Sequence, residues 1–270
     1  MSFFVELLSY PFMQRALVAG ILLGVLLASL GVIATLRNMA FFGDGVAHAS
    51  LAGIALAVLA GFAPLPFAIL WALLIAVTIF LLERTTKLSS DTLIGILFTA
   101  SMALGVILMH FTTGYQPELI SFLFGSILAV RELDLVIIAL FSFIILAWFF
   151  LSIRHLTYSA LSQDAATVAG VPVALQTLLF YMALSVATVL GVKILGIILV
   201  SALIVLPAAT AKMISASFKG YIASAIMIGV VTMLVGLVLS FALNLPSGAV
   251  IVLVGTAIFL LALLFTKNRA

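Results

Sequence analysis

The sequence predicts an all-α, polytopic integral membrane protein, a bundle of membrane-spanning helices, and two observations lead to this fold class. Hydrophobic residues make up 66% of the 270 residues and charged residues only 7%, whereas soluble domains have about 45–50% apolar and about 25% charged residues. The charged residues also cluster, and the apolar stretches between them have the roughly 20-residue length of a membrane span. We therefore expect 1–270 to form a single transmembrane domain with lipid as its main solvent.

About nine spans are predicted, and eight to ten are compatible with the sequence because two breaks are weak. The break at 63–65 is little more than Ala63 and Pro64, and the break at 193 is Lys193 alone. The segment 115–130 has the length of a short re-entrant or interfacial helix. The segment 1–15 lacks the pattern of a cleaved signal peptide and is expected to be retained, along the membrane surface. The nine spans are 16–36, 40–62, 65–82, 93–111, 135–152, 174–192, 194–212, 222–242 and 248–266.

The basic residues predict the orientation of the chain. If the N-terminus is outside, only Arg15, Arg131 and Lys193 of the 11 lysines and arginines fall on the outer side. The positive-inside rule then places the C-terminus in the cytoplasm. These residues form no run or stripe, so a nucleic-acid partner is not expected. The inner residues are Arg37, Arg84, Lys87, Arg154, Lys212, Lys219, Lys267 and Arg269.

The longest inner loop, 153–173, contains a predicted short helix. The stretch SALSQDAATVAGVP has helix-forming residues, and Gly170 and Pro172 provide a stop. A lone cytoplasmic helix between two spans is a natural docking point for a soluble partner. The alternative is that this segment is only a connecting loop.

Asp44 is the one acidic residue that falls in apolar text. It lies in MAFFGDGVAHASLAG, and His48 follows four residues later. Counted from Met39, Asp44 lies about one turn and His48 about two turns inside the membrane, where polar groups are expensive. The other acidic residues lie in the terminus or in predicted loops, where solvation explains them: Glu6, Glu83, Asp91, Glu118, Glu132, Asp134 and Asp164.

Residues four apart share one helical face, so the Asp44 carboxylate and the His48 imidazole point the same way. These groups are suitable ligands for zinc, manganese or ferrous iron. Two ligands are few for a tight site, but a symmetric dimer would bring four together. The alternative is a closed polar pair in which Asp44 caps its helix and His48 bonds to it. His110 is interpreted as an interfacial ring, with a role at the outer mouth as the alternative, and His155 as a solvated residue.

Several kinds of chemistry are missing from the chain. No phosphate-binding Gly-x-x-x-x-Gly-Lys-Ser/Thr loop is present, so ATP would have to be hydrolysed by another chain. The absence of cysteine, of a His-Glu-x-x-His helix and of a serine elbow disfavours an intramembrane enzyme. An autonomous ion-coupled carrier usually keeps several ionisable groups in its spans, and this chain offers one pair.

Three stretches resemble a known family: LRNMAFFGDGVAHASLAGIALA (36–57), SQDAATVAGVPVALQTLLFY (162–181) and KILGIILVSALIVLPAATAKMI (193–214). They are similar to the permeases of bacterial ABC importers for zinc, manganese or iron that work with cluster-type metal-binding proteins. The resemblance implies a homodimeric, multi-pass permease in the bacterial plasma membrane. It also implies an ATP-binding cassette subunit on the inner face and an extracytoplasmic metal-binding protein that delivers the ion.

On the matching positions, the resemblance makes Asp44 and His48 the metal contacts of the pathway. It assigns coupling to the ATPase to the helix that carries Asp164, Ala166 and Gly170. This loop begins Ser162-Gln163-Asp164 where many relatives are more acidic, which leaves the individual coupling contacts open. Pro207 is expected to kink its span. Ser201 is interpreted as a packing residue, with a pathway hydroxyl as the alternative.

The resulting interpretation is a permease without enzymatic activity that passes a divalent transition metal ion inward and holds no permanent cofactor. Two alternatives stay open: an ABC permease for a metal chelate or vitamin, and an autonomous ion-coupled secondary transporter. Because Asp and His serve all three metals, the sequence does not choose between zinc, manganese and iron.

Overall fold

The computed structural model describes residues 9–111 and 130–267, and every regular element in that part of the chain is a helix. Nine of these helices are long and apolar enough to cross a membrane. Within the described residues, the predicted all-α fold and number of spans are therefore confirmed. The helices are α1 (Pro11–Leu36), α2 (Phe42–Ala60), α3 (Pro64–Thr85), α4 (Ser90–His110), α5 (Glu132–Leu161), α6 (Gln163–Val168), α7 (Val173–Leu195), α8 (Ile197–Ile214), α9 (Phe218–Leu243) and α10 (Ser247–Lys267).

Several predicted boundaries are wrong. Helix α5 continues to Leu161, so the first part of the predicted loop 153–173 is helical. The short helix predicted within this segment is present as α6. Helix α1 already begins at Pro11, because proline is well suited to the first turn. The rest of the N-terminal prediction and most of the proposed helix at 115–130 lie outside the described residues.

The break between α7 and α8 is at Gly196, not at Lys193. Gly196 has φ +79° and ψ 164°, a conformation that favours glycine, and it is buried together with Leu195 and Ile197. Lys193 remains helical, and its amine donates a hydrogen bond to Asp134 Oδ1. The basic side chain that looked like a break is accommodated inside the helix by an ion pair.

Polar contacts identify the two ends of the bundle. At one end, Arg15 near the start of α1 lies 3.5 Å from Glu132 at the start of α5, and Lys193 reaches Asp134. At the other end, Arg37 just beyond α1 contacts Ser159 near the end of α5. Helices α1 and α5 therefore run in the same direction. The Glu132 side chain is 88% exposed, as solvation predicts, whereas solvation alone does not explain Asp134, which is 13% exposed and paired with Lys193.

Helix α1 lies in the centre of the bundle and packs against α5, α8 and α9. Close approach depends on small residues, as is usual where helices meet in lipid. Gly24 lies against the backbone of Gly229 on α9, and a side chain at Gly31 would collide with the backbone of Ile204 on α8. This packing brings α8 close to the start of α2, where the functional pair lies.

Candidate metal site

Asp44 and His48 lie on the first two turns of α2, as predicted. Asp44 is in the first turn, and His48 Nδ1 lies 2.9 Å from the Asp44 backbone carbonyl and 3.5 Å from Asp44 Oδ1. A carbonyl oxygen only accepts hydrogen bonds, so Nδ1 carries the hydrogen that it donates. In the neutral ring, Nε2 then keeps a free lone pair for a ligand. The local helix thus presents one carboxylate and one imidazole nitrogen together.

A third group, Ser201, approaches this pair from α8. Its Oγ donates to Asp44 Oδ1 at 3.1 Å, with the Ile197 carbonyl as a second acceptor at 3.3 Å. The preferred sequence interpretation of Ser201 as a packing residue is therefore incomplete. A hydrogen bond to Oδ1 restricts the orientation of the carboxylate, which prepares the other oxygen, Oδ2, for a ligand.

The pair is open on one side. The Asp44 side chain is 41% exposed and the His48 side chain 28% exposed, while Gly43, Gly45 and Ala47 beside them are buried. Ionisable groups in membrane spans usually face a bundle interior, a water-filled cavity or a partner. Lipid cannot hydrogen-bond to the exposed sides of Asp44 and His48, so these side chains require water or a polar partner there.

The capping alternative is contradicted by the geometry. Helix α2 begins at Phe42, its N-cap position is Phe41, and no side chain caps it. The other half of that alternative, a bond from His48 to Asp44, is present at the backbone carbonyl. Within the described residues, no group of three or more histidine or acidic side chains is placed to hold a metal ion. The described part of the chain thus offers two potential ligands at this site.

The three coupling candidates lie apart from this pair, around α6. Ser162 caps α6 by accepting a hydrogen bond from the Ala165 N–H at 3.3 Å. Asp164 is exposed, whereas Ala166 is only 1% exposed and faces the protein, so Ala166 anchors α6 and does not line its outer surface. Gly170 is exposed and has φ +77°, which explains why the helix stops there.

The remaining histidines contribute no ligand to the pair. His110 is exposed at the end of α4, with its ring against Phe111. Glu118, its suggested neighbour at the outer mouth, lies outside the described residues. His155 is exposed near the end of α5, as expected for a solvated residue.

Sequence reasoning missed a polar cluster between the candidate pair and α6. Glu83 accepts hydrogen bonds from Tyr181 at 2.6 Å and from Ser90 at 2.9 Å. The Tyr181 ring packs on Phe42, with 5.2 Å between ring centroids. Glu83 is therefore not simply a solvated loop residue. The sequence offered one signal, since Tyr181 lies in one of the motif stretches, but its partner is 98 positions away.

Residues 9–111 and 130–267 form a bundle of nine candidate spans with an open acid–imidazole pair inside one of them, and this arrangement is typical of a multi-pass membrane transport protein. Comparison with known proteins makes the assignment more specific. The chain belongs to the ABC 3 transport family, which matches residues 9–266.

Two relatives and one solved structure cover nearly the whole chain. The manganese transport system membrane protein MntC of Halalkalibacterium halodurans is 35% identical over 270 residues, covering 99% of this chain and 91% of that protein. The high-affinity zinc uptake system membrane protein ZnuB of Haemophilus influenzae is 29% identical, covering 94% of this chain and 97% of that protein. The structure of PsaBC from Streptococcus pneumoniae in complex with Fab has a TM-score of 0.85 and 31% identity, covering 97% of this chain and 94% of that chain.

Proposed function

We propose that this chain, as one permease domain spanning 1–270, is the membrane subunit of an ABC importer that carries manganese or zinc into the cytoplasm. The observation that supports it most is the open pair of Asp44 and His48, with 3.5 Å between Oδ1 and Nδ1. Relatives named for manganese and for zinc transport support the choice of cargo. Iron, the third metal expected from the sequence, has no support from these names.

The chemistry of the pair suits a transported ion better than a resident one. A carboxylate and a neutral imidazole replace part of the water shell of a divalent cation, and the negative charge of Asp44 compensates for the water that is lost. A single chain provides only two protein ligands, so an ion held by the pair of one chain alone would bind weakly. The chain would hold no permanent cofactor.

A homodimer would complete the site. The exposed sides of Asp44 and His48 need a polar neighbour within the membrane. A second copy related by a two-fold axis would supply the same carboxylate and imidazole, which gives four ligands around the axis. Four ligands of this type suit zinc, and manganese would retain water in addition.

The energy would come from a separate ATP-binding cassette subunit, and an extracytoplasmic metal-binding protein would deliver the ion. We assign the docking of the ATPase to α6, where Asp164 and Gly170 are exposed and Ala166 anchors the helix. Val168, which is 91% exposed, extends this surface. The chain would lie in the bacterial plasma membrane with α6 and the C-terminus in the cytoplasm, as the basic residues indicate.

The proposal is tested by ion uptake in proteoliposomes that contain the purified permease with its ATPase and metal-binding protein. Manganese, zinc and iron are supplied one at a time. Asp44→Asn keeps the size of the side chain but removes its charge, and His48→Gln removes the imidazole. We expect each change to abolish uptake of the transported ion while the complex still assembles, because an amide compensates poorly for a partly dehydrated dication.

Two matched substitutions serve as controls for this experiment. Asp91→Asn and His155→Gln make the same chemical changes at exposed positions on α4 and α5, and uptake should remain near the wild-type value. Near-normal uptake by Asp44→Asn would eliminate the proposed site. Ion uptake by the permease alone, without ATP, would instead favour an autonomous carrier.

A further inference from the structure

Arg37 connects three helices at the end of the bundle that carries α6. Its Nη2 donates to Ser159 Oγ on α5 at 3.0 Å and to Thr177 Oγ1 on α7 at 3.1 Å. The guanidinium also lies over the Phe180 ring, 5.6 Å from its centroid. Burial lowers the pKa of Arg37, whereas Tyr181 and Glu83 oppose that shift, and a guanidinium stays charged in proteins. We call Arg37, Ser159 and Thr177 the Arg37 clasp.

The Arg37 clasp connects the chain segment before α6 to the chain segment after it. Ser159 lies three residues before Ser162, the residue that caps α6, and Thr177 lies in the first turns of α7 after α6. The chain segments before and after α6 are therefore both bound by the same atom, Arg37 Nη2. Ser159 is 3% exposed and Thr177 6% exposed, so water competes little for these two bonds.

The Arg37 clasp also lies close to the candidate metal ligands Asp44 and His48, both along the chain and in space. Arg37 follows α1, and only the connection 38–41 separates it from the start of α2, seven positions before Asp44. A second contact reinforces this connection, because Tyr181, one turn beyond Thr177, packs on Phe42. A displacement of α6 can therefore be transmitted to the first turn of α2 through the contacts of Arg37 and the packing of Tyr181 on Phe42.

We propose that Arg37 is a positioning residue that couples the movement of α6 to the carboxylate and imidazole of α2. This inference rests on the proposed function, since it requires α6 to be moved by an ATPase and α2 to hold the ion. In this role Arg37 acts on the ion through α2 and does not bind the ion itself. It fixes the base of α6 to the start of α2, so that a push on α6 changes the geometry of the ion site instead of bending α6 alone.

The test removes one acceptor of the clasp at a time. Thr177→Val and Ser159→Ala each delete a hydroxyl and leave Arg37 in place. The complete complex of permease and ATPase is reconstituted in proteoliposomes, and the ions transported per ATP hydrolysed are measured. The loss of one hydrogen bond to a charged group changes an equilibrium by roughly tenfold or more. We therefore expect about tenfold fewer ions per ATP, with an unchanged Kd for manganese or zinc.

The double variant distinguishes a shared role from separate structural roles. If both hydroxyls act through Arg37, the double variant should couple no worse than the more impaired single variant. Matched controls are Ser142→Ala on α5 and Thr232→Val on α9, which delete buried hydroxyls that have no hydrogen-bond partner in the described part of the chain. These controls should keep the wild-type ratio of ions to ATP.

The outcomes separate this inference from the proposed function. A wild-type complex that transports neither manganese nor zinc contradicts the proposed function. A wild-type complex that transports, combined with a normal ratio of ions to ATP in Thr177→Val and Ser159→Ala, overturns the role of Arg37. A lower thermal stability of these variants with a normal ratio would also overturn it, because the clasp would then be only structural.

Discussion

The environment of Gly43 leads to a specific prediction about the ion site. A Cβ atom at Gly43 would lie 2.5 Å from Ile204 Cδ1 on α8, whereas ordinary contacts begin at 3.4 Å. In Gly43→Ala, either the end of Ile204 or the first turn of α2 must move by about 1 Å to restore ordinary contact. Asp44 is the next residue, and its bond to Ser201 is already 3.1 Å long. Ile204 is only 1% exposed, so its end has little free space in the packed interior and the first turn of α2 takes up the shift. A movement of about 1 Å there would break that bond.

The substitution is expected to affect both the stability of the fold and the ion site. Overpacking costs about 1–3 kcal/mol, but alanine in a helix is about 1 kcal/mol more favourable than glycine, so packing and helix propensity together change the unfolding free energy by roughly 0–2 kcal/mol. Loss of the Ser201 bond, an interaction with a charged group, adds roughly 1.5–3 kcal/mol to this destabilisation. We therefore expect about tenfold lower uptake at subsaturating ion concentration, together with a measurable loss of thermal stability.

A second substitution provides a rescue. Ile204→Val removes Cδ1, and the nearest remaining atoms, Thr188 Oγ1 at 3.7 Å and Ile204 Cγ1 at 3.8 Å, are at ordinary contact distance from the added Cβ. In the double variant, the alanine methyl group occupies the vacated space, so uptake should recover. Initial uptake rates over a range of ion concentrations and thermal unfolding of the purified protein give both quantities. The reasoning is refuted if Gly43→Ala has a wild-type KM, or if Ile204→Val restores nothing to it.

Two further predictions concern the α6 segment and the orientation of the chain. Gly170→Ala should reduce ATP-coupled uptake and Gly170→Asn should reduce it less. Nothing lies within 4 Å of an added Cβ, so the effect comes from the backbone conformation, φ +77°, which asparagine tolerates better than alanine. Equal uptake by the alanine variant and the wild type would contradict this. Because the chain has no cysteine, Val168→Cys, at a position 91% exposed, and Leu133→Cys, at a position 69% exposed, allow site-specific labelling. An impermeant thiol reagent should label position 133 in intact cells and position 168 only in inverted vesicles, and the reverse pattern would invert the orientation.

The proposed coupling role of α6 and the proposed ion-binding role of Asp44 and His48 require different properties of the protein. Helix α6 lies in a short segment with exposed residues on both sides, and it is capped by a single serine hydroxyl. The first turn of α2 is packed on buried neighbours, with Phe42 fully buried against Tyr181. In the proposed mechanism, α6 moves with the ATPase while the ion site keeps its geometry, and this requires a stiff connection. The Arg37 clasp lies between the two.

The sequence was sufficient to predict the spans and the proximity of Asp44 and His48, because both depend on local information. About 20 consecutive apolar residues predict a membrane span, and a helix brings residues four apart to one face. The cost of a carboxylate in apolar text made Asp44 recognisable as an exception. The helix ends were less well predicted, because Lys193 is kept within α7 by Asp134, a partner 59 positions away.

Only the tertiary structure decided what surrounds the pair. The hydroxyl on Asp44 comes from Ser201, 157 positions away, and the acceptors of Arg37 are 122 and 140 positions away. In the sequence, Arg37 is one basic residue among several at span ends, and Ser201 is one small residue in an apolar helix. Their roles depend on which helices pack together, and that packing is set by the close contacts of residues such as Gly31 and Gly43 with α8. A small residue permits such a contact, but its sequence position does not identify the helix that it meets.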